Sequence, residues 1–347
     1  MIEKGYHVAV VGATGAVGQK IIELLEKETK FNIVEVTLLS SKRSAGKVVQ
    51  FQGREIMIQE AKTTSFEGVD IAFFSAGGEV SKRFVNHAVS SGAIVIDNTS
   101  EYRMAHDVPL VVPEVNAHTL KEHNGIIAVP NCSALQMVTA LQPIRKSFGI
   151  ERIIVSTYQA VSGSGVHAIH ELTEQAKSML AGEEVESTIL PVKKDKIHYP
   201  IAFNVLPQVD IFTDNDFTFE EVKMIQETKK ILEDPNLKMA ATCVRVPVVS
   251  GHSESVYIEL EKEATVAEIR AVLLEASGVI LQDNPSKQLY PMPLYAEGKI
   301  DTFVGRIRKD LDTPKGFHLW IVSDNLLKGA AWNSVQIAET LVEEGII

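Results

Sequence analysis

The sequence predicts an α/β protein with a doubly wound, mainly parallel sheet, followed by an α+β domain with a mixed or antiparallel sheet. At 347 residues the chain is longer than one hydrophobic core usually organises, so two domains are expected. Residues 1–131 alternate β-rich runs with helical patterns, which is typical of doubly wound sheets. After residue 132 the strand patterns follow one another too closely for repeated crossover helices, which favours antiparallel pairing.

The first domain is predicted to span residues 1–131 and to include the C-terminal segment 326–347. Tyr6–Val11 has the continuous apolar character of a buried strand, and Ala16–Glu28 repeats apolar residues at helical spacing. A second helix is predicted at Glu79–Ser90, and a long amphipathic helix at Leu326–Val342. The remaining strands are predicted at Val34–Leu39, Ile56–Gln59, Ile71–Ser75, Ile94–Ile96 and Ile126–Val129.

The second domain is predicted to span residues 132–325. Its helices are predicted at Ala134–Phe148, Val166–Leu180 and Glu220–Leu232. Its strands are predicted at Arg152–Ala160, Met239–Val249, Ser255–Leu260, Thr302–Arg308 and Phe317–Ser323, with a Gly/Ser turn at Ser162–Gly165. Gly182–Thr218 is rich in proline and charge, so we expect a long excursion there that could form a subunit contact.

Composition and charge limit the classes of function. The chain is 45% hydrophobic and 23% charged, as soluble globular proteins are, and its formal charge of -11 argues against nucleic-acid or membrane-surface partners. No apolar run has the length of a membrane span, and the N-terminus does not resemble a signal peptide. Cys132 and Cys243 form no disulfide framework, and no Cys/His cluster has zinc spacing. We expect a cytoplasmic protein without a metal site.

A glycine-rich loop follows the first predicted strand. The residues Gly12-Ala13-Thr14-Gly15-Ala16-Val17-Gly18 have the spacing G-x-x-G-x-x-G, a variant of the dinucleotide fingerprint of Rossmann-type sheets. The helix that follows presents free N–H groups and a positive dipole to the pyrophosphate. The alternative is a glycine-rich turn without a ligand, but the strand before the loop and the helix after it favour the dinucleotide.

The end of the second predicted strand indicates which dinucleotide is bound. NAD enzymes usually place a carboxylate there for the ribose hydroxyls. This chain has Ser40-Ser41-Lys42-Arg43-Ser44-Ala45-Gly46, which groups cations and hydroxyls where the 2′-phosphate of NADP would lie. Arg43 could pair bidentately with that phosphate, and Ser41 and Ser44 are further candidate contacts. The alternative is a solvated basic loop; NADP is the predicted cofactor.

Cys132 is a candidate nucleophile. It lies in Pro130-Asn131-Cys132-Ser133, between a buried strand and a helix. A thiol at a helix N-terminus experiences the positive end of the dipole, which lowers its pKa and favours the reactive thiolate. The alternative is an inert core cysteine, an interpretation that suits Cys243 better because Cys243 lies within a strand pattern.

Four further motifs, taken in order along the chain, identify a resemblance. Asn98–Arg103 follows the strand Ile94–Ile96, and Tyr158–Gly163 places Gln159 at a strand end before a turn. Arg245-Val246-Pro247 precedes Gly251-His252-Ser253-Glu254, and Ser323–Ala331 lies near the C-terminus. With Cys132, these motifs resemble the aspartate-semialdehyde dehydrogenase family along nearly the whole chain. The Arg-Ser-Ala-Gly run at residues 43–46 resembles the branch that is common in Gram-positive bacteria.

The resemblance implies a role for each matching residue. Cys132 matches the nucleophile, His252 the general acid/base, and Gln159 the residue that orients substrate and intermediate. Arg245 matches the clamp for the substrate α-carboxylate, and Arg103 and Lys223 match the pair that holds phosphate. Glu220 matches the partner of the substrate amino group because it stands three residues before Lys223; Glu221 is its competitor. Further cofactor contacts are implied at Ser75, Ser162, Gly163 and Asn325.

The resemblance also implies a reaction and its partners. The family reduces 4-phospho-L-aspartate to L-aspartate 4-semialdehyde with NADPH, through a cysteine thioester, on the way to lysine, threonine, methionine and diaminopimelate. Substrate, inorganic phosphate and a second copy of the chain, in a homodimer or homotetramer, are therefore the expected partners. The alternatives are reduction of N-acetyl-γ-glutamyl phosphate by the same route, and a non-catalytic dinucleotide sensor.

Overall fold

The structure is a computed structural model that describes residues 4–27 and 29–347. The chain forms two compact units, one from the N-terminus to Asn131 together with Ala330–Ile347, and the other Cys132–Gly329. The chain thus returns to the first unit at Ala330, whereas the sequence predicts that it returns at residue 326. Glu28, the predicted end of the first helix, lies outside the described residues, as does Met1–Glu3.

The first unit contains a six-stranded parallel sheet with the spatial order β5-β2-β1-β6-β7-β8. Its strands are β1 (Gly5–Val11), β2 (Asn32–Ser40), β3 (Val48–Phe51), β4 (Arg54–Met57), β5 (Gln59–Glu60), β6 (Ile71–Phe74), β7 (Ile94–Asp97) and β8 (Ile126–Ala128). Its helices before residue 131 are α1 (Ala16–Lys27), α2 (Gly78–Ser90) and α3 (Pro113–Asn116). The order runs outward in both directions from β1 and β6, so the predicted doubly wound parallel sheet is confirmed.

One strand prediction in this unit is wrong. The sequence predicts a single strand at Ile56–Gln59, but the structure has an antiparallel hairpin of β3 and β4, followed by the two-residue strand β5. Gln52 and Gly53 form the two-residue turn and both have positive φ, at 48° and 72°. This turn matches the right-handed twist of the two strands. The hairpin therefore takes up residues that the apolar pattern assigned to one parallel strand.

The second unit contains a six-stranded mixed sheet with the order β10-β9-β11-β14-β13-β12. Its strands are β9 (Ile150–Gln159), β10 (Lys238–Arg245), β11 (His252–Leu260), β12 (Val279–Leu281), β13 (Thr302–Lys309) and β14 (Gly316–Ser323). Its helices are α4 (Cys132–Phe148), α5 (Val166–Ala181), α6 (Phe219–Ile231), α7 (Val266–Leu274) and α8 (Pro293–Ala296). β9–β10 and β12–β13 pair in parallel and the other pairs are antiparallel, so the mixed sheet is confirmed.

Successive residues at the start of β11 point to opposite faces of this sheet. On β11 the side chains of His252, Glu254 and Val256 are fully buried on the face that α4 covers. The other face packs against α8 at one end and leaves Ile154 and Tyr158 of β9 exposed. The predicted strand Met239–Val249 ends earlier, at Arg245, because Pro247 cannot donate to a ladder hydrogen bond.

The excursion between α5 and α6 is held by two side chains of α5. Glu171 accepts hydrogen bonds from the backbone N–H groups of Thr188, Ile189 and Leu190. Gln175 accepts from the N–H groups of Ile201 and Ala202. These bonds satisfy backbone groups of the segment that no strand pairs.

The C-terminal segment differs from the single helix predicted at Leu326–Val342. Leu327–Trp332 forms a π-helical turn, and α9 (Asn333–Glu343) then continues as an α-helix in the first unit. π-helical turns are rare and occur frequently at functional sites. Among the described residues, none of the helices is both long and apolar enough to cross a membrane.

Candidate active site

Three buried polar side chains meet where β9, β10 and β11 come together at one end of the mixed sheet. Arg245 is the last residue of β10 and pairs with Gln159, the last residue of β9. β11 begins at His252 and runs antiparallel, and its pairing of Ser253 with Tyr158 puts His252 beside Gln159. Arg245, Gln159 and His252 therefore form one row across the sheet, which we call the polar row.

Cys132 lies at the start of the helix that covers this face. It is the first residue of α4 and is partly exposed, so the helix dipole favours an anion on its sulfur. Cys132 also belongs to the electrostatic surroundings of the Arg245 guanidinium. Gly329, in the π-helical turn, packs against it so closely that a Cβ there would lie 2.7 Å from the Cys132 Cβ. Nucleophile and polar row thus belong to one unit.

His252 is held in a defined orientation. Its Nδ1 accepts a hydrogen bond of 3.0 Å from the backbone N–H of Ala160, so the neutral ring carries its proton on Nε2. Nε2 is buried and has no hydrogen-bond partner among the described residues. Burial first, and then the charge of Arg245, hold the pKa of His252 well below its ordinary value. The ring is therefore a neutral donor at neutral pH, poised for an oxygen atom that a substrate would bring.

Arg245 presents a buried cation to the same space. Its Nη1 donates to the carbonyl oxygen of Ala160 at 2.8 Å, and its Nε has no partner among the described residues. Burial lowers the pKa of Arg245, while Glu220 and Cys132 act against that change. A Cβ on Gly163 would lie 3.0 Å from Arg245 Nη1 and 3.4 Å from His252 Nε2. Glycine at 163 therefore keeps this space open for a ligand.

A chain of hydrogen bonds leads from Gln159 to α6. Thr157 donates to Gln159 Oε1 at 3.0 Å, which leaves Gln159 Nε2 to donate to Glu220 at 2.9 Å. Lys223 donates to Glu220 at 3.3 Å and to Asp210 at 2.7 Å. Gln159 and Glu220 are buried, so the negative charge of Glu220 lies within reach of the polar row.

Glu221, the alternative to Glu220 as the partner of the substrate amino group, stabilises the start of α6. Its carboxylate accepts from the backbone N–H of Thr218 at 2.8 Å, and the Thr218 hydroxyl accepts from Glu221 N–H, which completes a capping box at the start of α6. The second oxygen of Glu221 accepts from the N–H of Cys243 at 3.1 Å. The structure therefore directs Glu220, and not Glu221, toward Gln159.

The other predicted site residues of the second unit support the loop beside His252. Asn325 Nδ2 donates to Ser162 Oγ at 3.0 Å, and Asn325 Oδ1 accepts from the Gly251 N–H at 2.9 Å. Ser162 and Asn325 are both buried.

Arg103 belongs to the first unit, where its Nη2 donates to the carbonyl oxygen of Asn98 at 2.8 Å. The predicted phosphate pair, Arg103 and Lys223, is thus divided between the two units.

The first unit has a cavity of about 490 Å³ at the carboxyl ends of β1, β2 and β6. Its lining includes Gly12, Thr14, Gly15, Ser41 and Ser75 from the predicted set, together with Ser40, Lys42, Glu60 and Arg83. Ala16, Val17, Gly18, Arg43 and Ser44 are absent from this lining.

The glycine loop has the geometry that a dinucleotide requires. Gly12 has φ +94°, and its carbonyl accepts the Gly15 N–H at 2.8 Å to close the turn. A Cβ on Gly18 would lie 2.2 Å from the Gly12 carbonyl oxygen, so only glycine lets α1 approach the strand this closely. The hydroxyls and cations that line the cavity suit ribose and phosphate groups, so the residues present fit the cofactor.

Four residues near these sites were not identified from the sequence. Asp210 pairs with Lys223, Arg83 lines the nucleotide cavity, and Gln136 and Glu254 are fully buried behind the polar row. Glu254 is two residues from His252 on a strand, a spacing that puts both on one face. This spacing alone could have singled out a buried carboxylate. Nothing comparable in the sequence indicates Asp210 or Arg83.

Two protein-family models match most of the chain. The model described as "Semialdehyde dehydrogenase, NAD binding domain" matches residues 7–123. The model described as "Semialdehyde dehydrogenase, dimerisation domain" matches residues 141–328. The two matches fall on the two units in turn.

Known proteins resemble the chain over its whole length. It is 63% identical over 345 residues to an aspartate-semialdehyde dehydrogenase from Bacillus subtilis (strain 168), covering 99% of each chain. It is 51% identical to one from Aquifex aeolicus (strain VF5), over 99% of this chain and 100% of that one. The structure of aspartate semialdehyde dehydrogenase II complexed with ASA from Vibrio cholerae has a TM-score of 0.92 at 43% identity, over 98% and 99% of the chains. The Candida albicans enzyme with NADP has a TM-score of 0.75 at 27% identity, over 99% and 100%.

Proposed function

The chain belongs to the aspartate-semialdehyde dehydrogenase family, and we propose that it converts 4-phospho-L-aspartate to L-aspartate 4-semialdehyde with NADPH, and catalyses the reverse reaction. The observation that carries this proposal is the grouping of Cys132 with the polar row. A partly exposed thiol at a helix N-terminus, a buried cation and a neutral histidine with a free Nε2 suit attack on an anionic acyl compound.

Cys132 forms the covalent intermediate. Its thiolate attacks the acyl carbon of the phosphorylated substrate, the bond from that carbon to the phosphate oxygen breaks, and a thioester remains. NADPH, when bound, supplies the hydride that reduces the thioester carbon. His252 then donates from Nε2 to the oxygen that becomes negative, which gives a hemithioacetal. The hydroxyl proton of the hemithioacetal returns to Nε2 as the carbon–sulfur bond breaks, so that the aldehyde and the Cys132 thiolate are released. In the oxidative direction the same nitrogen receives the proton.

Arg245 and Glu220 bind the two charged ends of the amino acid. The buried guanidinium of Arg245 suits bidentate binding of the α-carboxylate. Glu220 suits the α-amino group, and its bond to Gln159 links that contact to the residue that orients the reacting part of the substrate. An N-acetylated γ-glutamyl substrate has no free amino group and would leave the buried carboxylate of Glu220 without that partner.

Phosphate is assigned to Arg103 and Lys223. Both are cations, and a phosphoryl group carries several negative charges that must be offset as it leaves. Lys223 already pairs with Asp210 and Glu220, so phosphate would have to share it with two carboxylates. This supports Arg103 as the stronger of the two contacts.

NADP binds at the glycine loop, with Gly12, Thr14, Gly15, Ala16, Val17 and Gly18 around the pyrophosphate and Ser75 nearby. Ser41, Arg43 and Ser44 bind the 2′-phosphate, and Lys42 in the cavity lining adds a second cation. Arg43→Ala should therefore weaken NADP binding much more than NAD binding, and equal losses would refute the assignment. Ser162, Gly163 and Asn325 are assigned to the nicotinamide side.

The chain acts as a homodimer or homotetramer in the cytoplasm. The match to a dimerisation-domain model supports association of the second unit. The exposed side chains of Ile154 and Tyr158 on the open sheet face support that face as the contact. NADPH and an acyl phosphate are intracellular metabolites, which favours the cytoplasm. Light scattering at several protein concentrations measures the assembly.

One assay tests the substrate. L-aspartate 4-semialdehyde and N-acetyl-L-glutamate 5-semialdehyde are supplied separately with NADP⁺ and phosphate, and NADPH formation is followed. We expect turnover of the first alone; turnover of the second alone would overturn the substrate assignment. Cys132→Ala should abolish turnover while NADP binding remains, whereas a non-catalytic sensor would show no turnover in the wild type either.

A further inference from the structure

A buried carboxylic acid lies directly behind the polar row. Glu254 is two residues after His252 on β11, so its side chain points to the same face. Strand pairing sets Glu254 beside Thr157, which in turn pairs with Cys243. These three residues form a second row beneath Arg245, Gln159 and His252. Glu254 has no exposed surface.

The carboxyl group of Glu254 and the amide group of Gln136 both have oxygen atoms that lack a hydrogen-bond donor. Neither oxygen of Glu254 has a hydrogen-bond partner among the described residues, and neither does Oε1 of Gln136. The Gln136 side chain is nevertheless near enough to the Glu254 carboxyl to act on its pKa. Gln136 Nε2 donates to the carbonyl oxygen of His252 at 3.4 Å. The Glu254 carboxyl and the Gln136 amide are therefore buried neighbours, and each has an acceptor oxygen without a donor among the described residues.

A single proton satisfies both groups. A protonated Glu254 carboxyl can donate to Gln136 Oε1, whereas a carboxylate would be a buried charge and would leave Gln136 Oε1 without a donor. Burial raises the pKa of Glu254 well above its ordinary value, and the Gln136 side chain lowers it by less. Burial likewise raises the pKa of the nearby Cys243 thiol, so that neighbour is neutral too.

We propose that Glu254 is a positioning residue of the active site: its protonated carboxyl donates a hydrogen bond to Gln136, and Gln136 holds the strand of His252 against the helix of Cys132. Gln136 stands four residues after Cys132 on α4, which places it one turn below the nucleophile. Its second bond goes to the backbone of His252 itself. The Glu254–Gln136 pair thus connects the elements that carry the nucleophile and the acid/base group.

The test is a set of four variants: Glu254→Leu, Glu254→Gln, Gln136→Leu and the Glu254→Leu/Gln136→Leu double variant. Leucine fills the space but donates nothing, whereas glutamine offers an N–H to Gln136 Oε1 in place of the acid proton. We expect Glu254→Leu to lower kcat about tenfold or more, the factor of one lost buried hydrogen bond, with KM nearly unchanged. Glu254→Gln should restore kcat to within about twofold of the wild type, because the bond is retained.

The double variant separates positioning from packing. Once Gln136 is leucine, Glu254→Leu should cost much less than in the wild type, because no acceptor is left unpaired. Val256→Ala, a buried change two residues farther along the same face, serves as the control for lost stability. It should lower the free energy of unfolding without lowering kcat to the same extent.

The turnover data depend on the proposed function, on which this inference rests. Two further measurements do not depend on it. Infrared spectroscopy at neutral pH should show the carbonyl band of a protonated carboxylic acid that disappears in Glu254→Gln. The rate of Cys132 alkylation by iodoacetamide, measured against pH, should change in Glu254→Leu and return in Glu254→Gln. Cys243 does not interfere because it is fully buried. Failure of turnover in the wild type would refute the function and leave these readouts intact.

Three results would overturn the role of Glu254. The first is a Glu254→Leu variant that is as active as the wild type, which would mean that Glu254 only fills space. The second is a Glu254→Gln variant as inactive as Glu254→Leu, which would mean that the carboxylate charge is required. The third is the absence of the acid band in the wild type.

Discussion

Replacement of Gly329 by alanine should displace the nucleophile. The added Cβ would lie 2.7 Å from Cys132 Cβ and 3.2 Å from Cys132 Cα. Carbon atoms in ordinary contact are about 3.5–4.0 Å apart, so the two segments must separate by roughly 1 Å. Because the neighbour is the Cβ and backbone of Cys132, and not the far end of a flexible chain, the shift must move the first residue of α4.

The size of the effect follows from this displacement. A misplacement of about 1 Å at a reacting group costs roughly 100-fold in rate, so kcat of Gly329→Ala should fall about 100-fold. The overpacking itself should cost about 1–3 kcal/mol of stability, which leaves the chain folded. The assay is kcat with semialdehyde, NADP⁺ and phosphate, together with Cys132 alkylation and a thermal unfolding curve.

A matched variant separates displacement from simple loss of stability. Val256→Ala removes buried methyl groups from β11 at a comparable cost of about 1–3 kcal/mol, but it puts no atom against Cys132. Its kcat should stay within a few-fold of the wild type. A Gly329→Ala variant with near-normal kcat, or an equal loss in Val256→Ala, would refute the steric reasoning.

Four further variants test the substrate site, the nucleotide loop and the pH dependence. Glu220→Gln should raise KM for the semialdehyde about 10- to 100-fold, the factor that corresponds to one charged hydrogen bond. Glu221→Ala should lower the free energy of unfolding by about 1 kcal/mol, because a helix cap is lost, and should leave KM nearly unchanged. Equal KM changes in steady-state kinetics would reverse the assignment. Gly18→Ala should weaken NADP binding in fluorescence titrations, because its Cβ would lie 2.2 Å from the Gly12 carbonyl oxygen; unchanged affinity would contradict this. In the folded state Glu254 keeps its proton above the ordinary pKa of 4.5, so the folded state binds more protons than the unfolded state there. The free energy of unfolding should therefore fall as the pH rises from 4.5 toward the raised pKa. Glu254→Gln should remove that part of the slope above pH 4.5 in urea titrations. An unchanged slope would mean that the carboxyl is ionised.

Much of the fold could be predicted from local patterns. The glycine loop at Gly12–Gly18 carries its own geometric requirements, and the buried strands of the first unit are continuous apolar runs. The hairpin at β3 and β4 was missed because its four-residue strands are short and mostly exposed, and only the Gln52-Gly53 turn reveals it. The π-helical turn at Leu327–Trp332 was missed because periodicity does not distinguish it from an α-helix.

The site could be predicted in part. Thr218 and Glu221 have the spacing of a capping box, so the sequence already contained the reason to prefer Glu220 as the substrate partner. The bonds from Gln136 to His252 and from Lys223 to Asp210 join residues distant in sequence and depend on how the elements pack. The tautomer of His252 depends on the Ala160 N–H, which the alignment of β9 with β11 brings to it.

The thioester on Cys132 is tested most directly by rapid mixing of the enzyme with L-aspartate 4-semialdehyde and NADP⁺ in the absence of phosphate. We expect a burst of one NADPH per active site, followed by mass spectrometry that locates an acyl group on the peptide containing Cys132. Addition of phosphate should release the acyl group and restore turnover. An acyl group on another residue, or NADPH formation in Cys132→Ala at the wild-type rate, would contradict the mechanism.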